Sequence, residues 1–213
     1  AYDTAFDFAA TIGWGYWRVR TDYISENSFD QDVFIDVIDN PFTVSFDPNS
    51  KLPDGSDAEC ALITDLMRKD TFKKEYPGAQ VAGFNEVGYS DPDWITEHDI
   101  RLAEYFHVER EAAKLVMLTN GMTLWADQLP RPEILDAAGI SVQGERQSFK
   151  RVVKWCKQTG FEVLEEKTLP GRWIPIVPVY WTSVIIDGKR IRRGLVYDAM
   201  DPQRMVNFWH TSV

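Results

Sequence analysis

Apolar residues in this chain recur mostly at every second position, the period of a half-buried strand, and helical spacing is confined to short stretches. Residues 2–11 place Tyr2, Phe6, Ala9 and Ala10 on one helical face, and Gly13 and Gly15 break that helix. Trp17, Val19, Thr21 and Tyr23 then alternate with Arg18, Arg20 and Asp22 as a strand does. Residues 33–38 predict a second, more buried strand. Asn40-Pro41 ends or bends it, because the residue before proline is pushed extended and proline donates no ladder bond. Strand period continues over 42–46, followed by turn chemistry at Asp47-Pro48-Asn49-Ser50 and Pro53-Asp54-Gly55-Ser56-Asp57.

Beyond these turns the pattern predicts a strand over 60–67 and a short helix from an Asp70 cap to Tyr76, stopped by Pro77-Gly78. Residues 90–97 read as a polar connection and 100–108 as an alternating strand. Residues 115–119 and 122–125 flank Asn120-Gly121, a hairpin signal because both turn positions tolerate positive φ. Residues 130–143 read as a loop. A second hairpin joins 149–155 to 161–163 through Thr159-Gly160, with one basic face. Pro175 and Pro178 make 174–180 an edge strand or an extended crossing segment. A third hairpin turns at Asp187-Gly188 between residues 184–186 and Ile191. From Gly194 the chain turns helical, with Asp201-Pro202 as N-cap and first helical position and an apolar stripe of Leu195, Met205, Phe208 and Trp209. The fold class is α+β: mixed and antiparallel sheets, several β-hairpins and a few helices, the last at the end.

Composition narrows the function classes. The 213 residues are 44% hydrophobic and 26% charged, a globular balance that supports a real core. The net charge of −10 opposes a protein built to grip phosphates. Cys60 and Cys156 stand among apolar neighbours without a CxxC, which points to buried free thiols and a reducing compartment. No apolar run reaches the length of a membrane helix, so no membrane partner is expected. The missing initiator Met and the helix running to Val213 suggest a piece of a longer protein.

The search for chemistry returns no catalytic, cofactor-binding or metal site. His98, His107 and His210 are scattered without metal-ligand spacing. The run from Asp47 to Glu59 superficially matches a calcium loop, but Lys51 stands where an oxygen ligand is needed and Leu52 where glycine is needed. Asx capping accounts for it better than a cation held by Asp54, Asp57 and Glu59. Gly13-Trp14-Gly15 closes a helix and opens a strand, the reverse of a phosphate cradle. Two alternatives stay open. One is a hydrolase using an Asp/Glu pair, drawn from Asp36/Asp39 or Glu162/Glu165/Glu166. The other is a nucleic-acid-binding module using Lys150, Arg151, Lys154 and Lys157 with the cluster Lys189-Arg190-Ile191-Arg192-Arg193.

Several segments, in order, carry a family resemblance. They are Gly13-Trp14-Gly15-Tyr16-Trp17-Arg18 within 13–23, Asn40-Pro41-Phe42-Thr43-Val44-Ser45-Phe46 running on to Ala58, and Lys74-Glu75-Tyr76-Pro77-Gly78. Ile174-Pro175-Ile176-Val177-Pro178 and Asp201-Pro202-Gln203-Arg204-Met205-Val206-Asn207 within 194–209 complete the set. Together they resemble the portal proteins, the head-to-tail connectors of short-tailed bacteriophages or related prophages. The resemblance implies a non-enzymatic subunit of a dodecameric ring at a capsid vertex of the virion, assembled in the host cytoplasm. It implies as partners other portal subunits, terminase, scaffold or capsid and tail-adaptor proteins, and double-stranded DNA passing through without specific binding. It also implies a wing/hip-like region over 1–193, with a sub-boundary near 90–98, and the start of a stem-type helix over 194–213. By that likeness Arg192, Arg193, Gln203, Arg204, Asn207 and Trp209 lie at subunit contacts.

Overall fold

The computed structural model describes residues 1–81 and 94–212. Helix α1 (Tyr2–Ile12) ends at Gly13, whose φ of 110° is the left-handed cap that glycine adopts without strain. Strands β1 (Trp14–Tyr23), β2 (Gln31–Val37) and β9 (Ile176–Tyr180) form an antiparallel sheet in the order β2-β1-β9. A second, larger sheet runs β3 (Val44–Phe46), β4 (Cys60–Arg68), β5 (Asp99–Leu118), β7 (Val142–Gln158) and β8 (Val163–Leu169), with β6 (Thr123–Trp125) paired to the far end of β5. Among the described residues, strands β10 (Thr182–Ile186) and β11 (Lys189–Arg193) pair only with each other, and α4 (Leu195–Thr211) follows. The α+β class, the three hairpin turns and the terminal helix are as the sequence predicts.

The two main sheets close on one core. Tyr16, Ile38, Ile174 and Ile176 from the smaller side meet Ala61, Phe106, Val153 and Trp155 from the larger. Phe106 is almost fully buried, so its truncation to Ala costs about 3–5 kcal/mol. A satellite core sets α2 (Lys69–Glu75) on the end of the large sheet, with Phe72 buried against Ile100 and Leu102.

Several local expectations are corrected. Strand β2 is the exposed edge of its sheet, not a more buried strand; Val33, Ile35 and Val37 face solvent while Ile38, just past its end, is buried. Residues 41–43 form a 3-10 turn, because Asn40 Oδ1 accepts the Phe42 amide at 3.0 Å and Pro41 opens the turn. Asp70 does not cap α2. Strand β4 runs straight into the helix, Arg68 takes the N-cap position, and the Lys69 amide donates instead to the His98 carbonyl at 3.0 Å. Residues 130–143 contain α3 (Pro132–Ala137), started by proline in its first turn and stopped at Gly139 with φ of 66°. Asp201-Pro202 lies inside α4, which starts at Leu195; its solvent-exposed side tolerates the missing amide. Of the polar connection, residues 90–93 fall outside the described residues, and Thr96–Asp99 closes a tight turn through the 3.0 Å bond from the Thr96 amide to the Asp99 carbonyl.

Candidate subunit-contact surface

Helix α4 projects from a fixed base. A Cβ at Gly194 would collide with the Thr11 carbonyl oxygen, and one at Gly13 would lie 2.9 Å from the Arg193 backbone. The end of α1, the end of β11 and the start of α4 therefore meet backbone to backbone. Beyond that base none of the 17 residues of α4 is buried. Leu195, Val196, Tyr197, Met200, Met205, Val206, Phe208 and Trp209 are all exposed, the last two at 69%. Met205, Val206, Trp209 and His210 line a shallow apolar recess.

Of the six predicted contact residues, Arg192 and Arg193 close β11 at the base, while Gln203, Arg204, Asn207 and Trp209 lie along this helix, which is roughly 25 Å long at 1.5 Å per residue, so the six do not converge on one point. At the base, the Arg192 guanidinium lies 3.6 Å from the centre of the Tyr180 ring and that of Arg193 lies 4.3 Å from the Tyr197 ring. Burial pushes the Tyr180 phenol up to about 12, against the opposing pull of Arg192. Further out, Gln203 Nε2 donates to Asn207 Oδ1 at 3.0 Å, and Arg204 reaches Asp201 at 3.1 Å. These pairs are local and exposed, so they shape the helix surface and stabilise it little.

Most of the residues held open for other chemistry have structural partners. Asp57 accepts the Lys51 amide at 2.6 Å and the Ser50 hydroxyl at 2.7 Å, and Asp47 accepts the amides of Asn49 and Glu59, each at 2.8 Å. The calcium-like loop thus spends its carboxylates on its own backbone. Among the described residues no group of three or more His, Cys, Asp or Glu is placed to hold a metal ion. Glu165 accepts the Tyr76 hydroxyl at 2.8 Å, and that bond, followed by Lys167, holds its carboxyl below the usual range. That is the opposite of the raised carboxyl a general acid needs. Asp36 is bound to Arg20 at 2.8 Å and Glu162 accepts the Gln80 amide at 2.5 Å.

The expected basic face on β7 is not a single face. Lys150 and Lys154 project to one side of the strand and Arg151 and Lys157 to the other, because side chains alternate. Lys150 pairs with Asp127 at 2.9 Å, Lys154 with Glu111 at 3.6 Å, Arg151 bonds the Ala58 carbonyl, and Lys157 sits over the Tyr76 ring. Cys60 and Cys156 are free and half-buried. They lie on opposite sides of β5, facing His107 and Tyr105, roughly 10 Å apart by strand spacing and too far for a disulfide. Burial pushes both thiols up, away from reactive thiolates. His107 bonds Glu109 at 3.1 Å and stacks on Tyr105. His98 is exposed beside Glu97.

A cleft of about 330 Å³ opens between the two sheets, lined by Arg18, Arg20, Phe106, Trp155, Lys167 and Pro170. Its cations are already matched: Arg18 by Glu104, Arg20 by Asp22 and Asp36, and Lys167 by Glu165. Sequence reasoning missed two exposed features. Phe29, at the β1–β2 connection, is 97% exposed, and among the described residues β2 offers an unpaired edge. The signal for the first was present, an aromatic set between Ser28 and Asp30 in a polar stretch.

An α+β body that leaves its longest described helix uncovered has the build of a structural component, since contiguous apolar surface marks contact with another chain. The chain belongs to the phage P22-like portal protein family, whose model matches residues 1–213. A protein named "Portal protein" from Acyrthosiphon pisum secondary endosymbiont phage 1 is similar at 30% identity over 223 residues, covering 97% of this chain and 30% of that protein. The chain therefore spans about a third of the length of that relative. No helix among the described residues is long and apolar enough to cross a membrane.

Proposed function

We propose that this chain is a region of a portal ring subunit, a structural part of the channel at one capsid vertex through which the genome is packaged and ejected. The family match over the whole chain supports this reading, and the uncovered apolar surface of α4 carries it. In this reading residues 1–193 are the wing/hip-like body, with a sub-boundary near 90–98, and residues 194–213 begin a stem-type helix. Arg192, Arg193, Gln203, Arg204, Asn207 and Trp209 meet neighbouring subunits of a dodecamer. Terminase, scaffold or capsid and tail-adaptor proteins are the other partners. The chain works by shape and charge, without a reaction of its own. DNA passes without specific binding, in keeping with the net charge of −10. The protein assembles in the host cytoplasm and resides in the virion.

Electron microscopy of the full portal chain carrying this region tests the reading. Closed rings are expected, and persistent monomers at assembly concentrations overturn it.

A further inference from the structure

We propose that the free edge of β2 in one copy pairs with the free edge of β11 in the next, an intersubunit ladder centred on Phe34 opposite Ile191. The inference rests on the ring reading above and names the contact that builds it. Among the described residues β2 pairs only with β1, and β11 only with β10. The two edges are different surfaces of the molecule, one in the small sheet and one in the separate β10–β11 pair. The order β2-β1-β9 puts β9 on the far side of β1 from β2, and the β10–β11 hairpin follows β9 after Trp181. A contact between them joins copies head to tail, the arrangement that closes into a ring.

The two edges match residue by residue. Along one side of β2, alternate positions carry Asp32, Phe34 and Asp36; along one side of β11 they carry Lys189, Ile191 and Arg193. Each is an apolar centre flanked by two charges, opposite in sign between the two edges; within its own subunit Asp36 also pairs with Arg20, and Arg193 also lies over the Tyr197 ring. Because both patterns are symmetric about their centres, the match holds for parallel and antiparallel pairing alike. The wider surroundings agree: residues 26–39 hold five carboxylates and no lysine or arginine, while 189–193 hold four cations.

Charge also rejects the competing contacts. Two β2 edges would set Asp against Asp, and two β11 edges would set cation against cation, so pairing like with like in a two-fold dimer is disfavoured. The remaining edge of the small sheet is blunted, since Pro178 of β9 has no amide to donate. Strand β2 has no proline or lysine, and Val33 and Ile35 stand 59% and 42% exposed along it. It is the open edge of the small sheet, and its acidity favours a basic partner.

The test uses the full portal chain carrying this region, with assembly followed by sedimentation and electron microscopy. Reversing one edge with Asp32→Lys and Asp36→Lys, or the other with Lys189→Glu and Arg193→Glu, is expected to weaken association at least about tenfold. Combining all four substitutions restores assembly. In an otherwise unchanged chain, Phe34→Cys with Ile191→Cys gives a reducible ladder of covalent oligomers, and neither cysteine alone does. Rings that form normally with either edge reversed, or a cysteine pair that gives no ladder, overturn the contact while leaving the ring reading intact. An unmodified chain that never assembles overturns both.

Discussion

Glu104 grips Arg18 with both carboxylate oxygens, Nη1 to Oε1 at 3.0 Å and Nη2 to Oε2 at 2.8 Å, across the interface between the two sheets. The Trp155 indole donates to the same carboxylate at 2.7 Å, and the guanidinium lies 5.9 Å from the Phe106 ring centre. Both ionic side chains are more than three-quarters buried. Glu104→Ala strands the arginine and the indole together, so we expect a loss of about 2–4 kcal/mol by urea unfolding. Arg18→Met removes a charge but keeps apolar contact. If the pair is a rigid sheet-to-sheet link, the double variant is less damaged than the sum of the singles.

Gly15 allows α1 to lie on β1. A Cβ there would strike the Ala5 carbonyl oxygen and lie 2.8 Å from the Ala5 carbonyl carbon. Gly15→Ala must push the helix off the sheet, and the expected cost is about 3 kcal/mol or more in thermal or urea unfolding. A substitution at Gly188, where the added atom meets open space, isolates the separate cost of positive φ.

The Asp57 carboxyl is held at about 2, below its ordinary 3.8, first by the Lys51 amide and then by the Ser50 hydroxyl. A depressed carboxyl favours the fold wherever it is ionised. Its contribution is complete above about pH 4 and is lost as the pH falls through about 2. Asp57→Asn is expected to lower the thermal midpoint at neutral pH and to flatten the loss of stability over that acid window. A titration of midpoint against pH for both chains measures it.

Tyr180 behaves in the opposite direction. Its phenol, raised to about 12 by burial, favours the fold while neutral, so its contribution persists below about pH 10 and is lost as the pH rises through about 12. In an ultraviolet alkaline titration the Tyr180 signal should lag behind the exposed tyrosines, and Tyr180→Phe should remove that late phase. The Tyr180 hydroxyl is buried without a hydrogen-bond partner among the described residues. The same substitution is therefore expected to change stability by less than about 1 kcal/mol, or to raise it.

Phe208 and Trp209 separate folding from assembly. Both are exposed and touch no core, so Phe208→Ser with Trp209→Ser should leave the unfolding midpoint of the chain nearly unchanged. In the full portal chain the same pair should reduce ring formation. A variant that unfolds early would instead mean that α4 supports its own subunit.

Local chemistry alone determined the features whose cause is local. Asn120-Gly121 and Asp187-Gly188 specified hairpins because those residues accept positive φ, and Gly121, Asp187 and Gly188 adopt it. Pro178 placed β9 at an edge, since a strand without that amide cannot donate on both sides. The family, too, was legible in the ordered segments from Gly13 to Trp209. Only the tertiary structure decided that residues 99–118 form one strand. Glu109–Lys114 breaks the alternation, yet the register from Ala103↔Gln158 to Leu118↔Val142 carries the strand through it, because a long neighbour satisfies its backbone regardless of side-chain period. Tertiary structure likewise made β2 an exposed edge, split the β7 cations between two faces and left α4 bare. Burial and pairing depend on which distant segment arrives alongside, and a period in the sequence says only which side chains share a face.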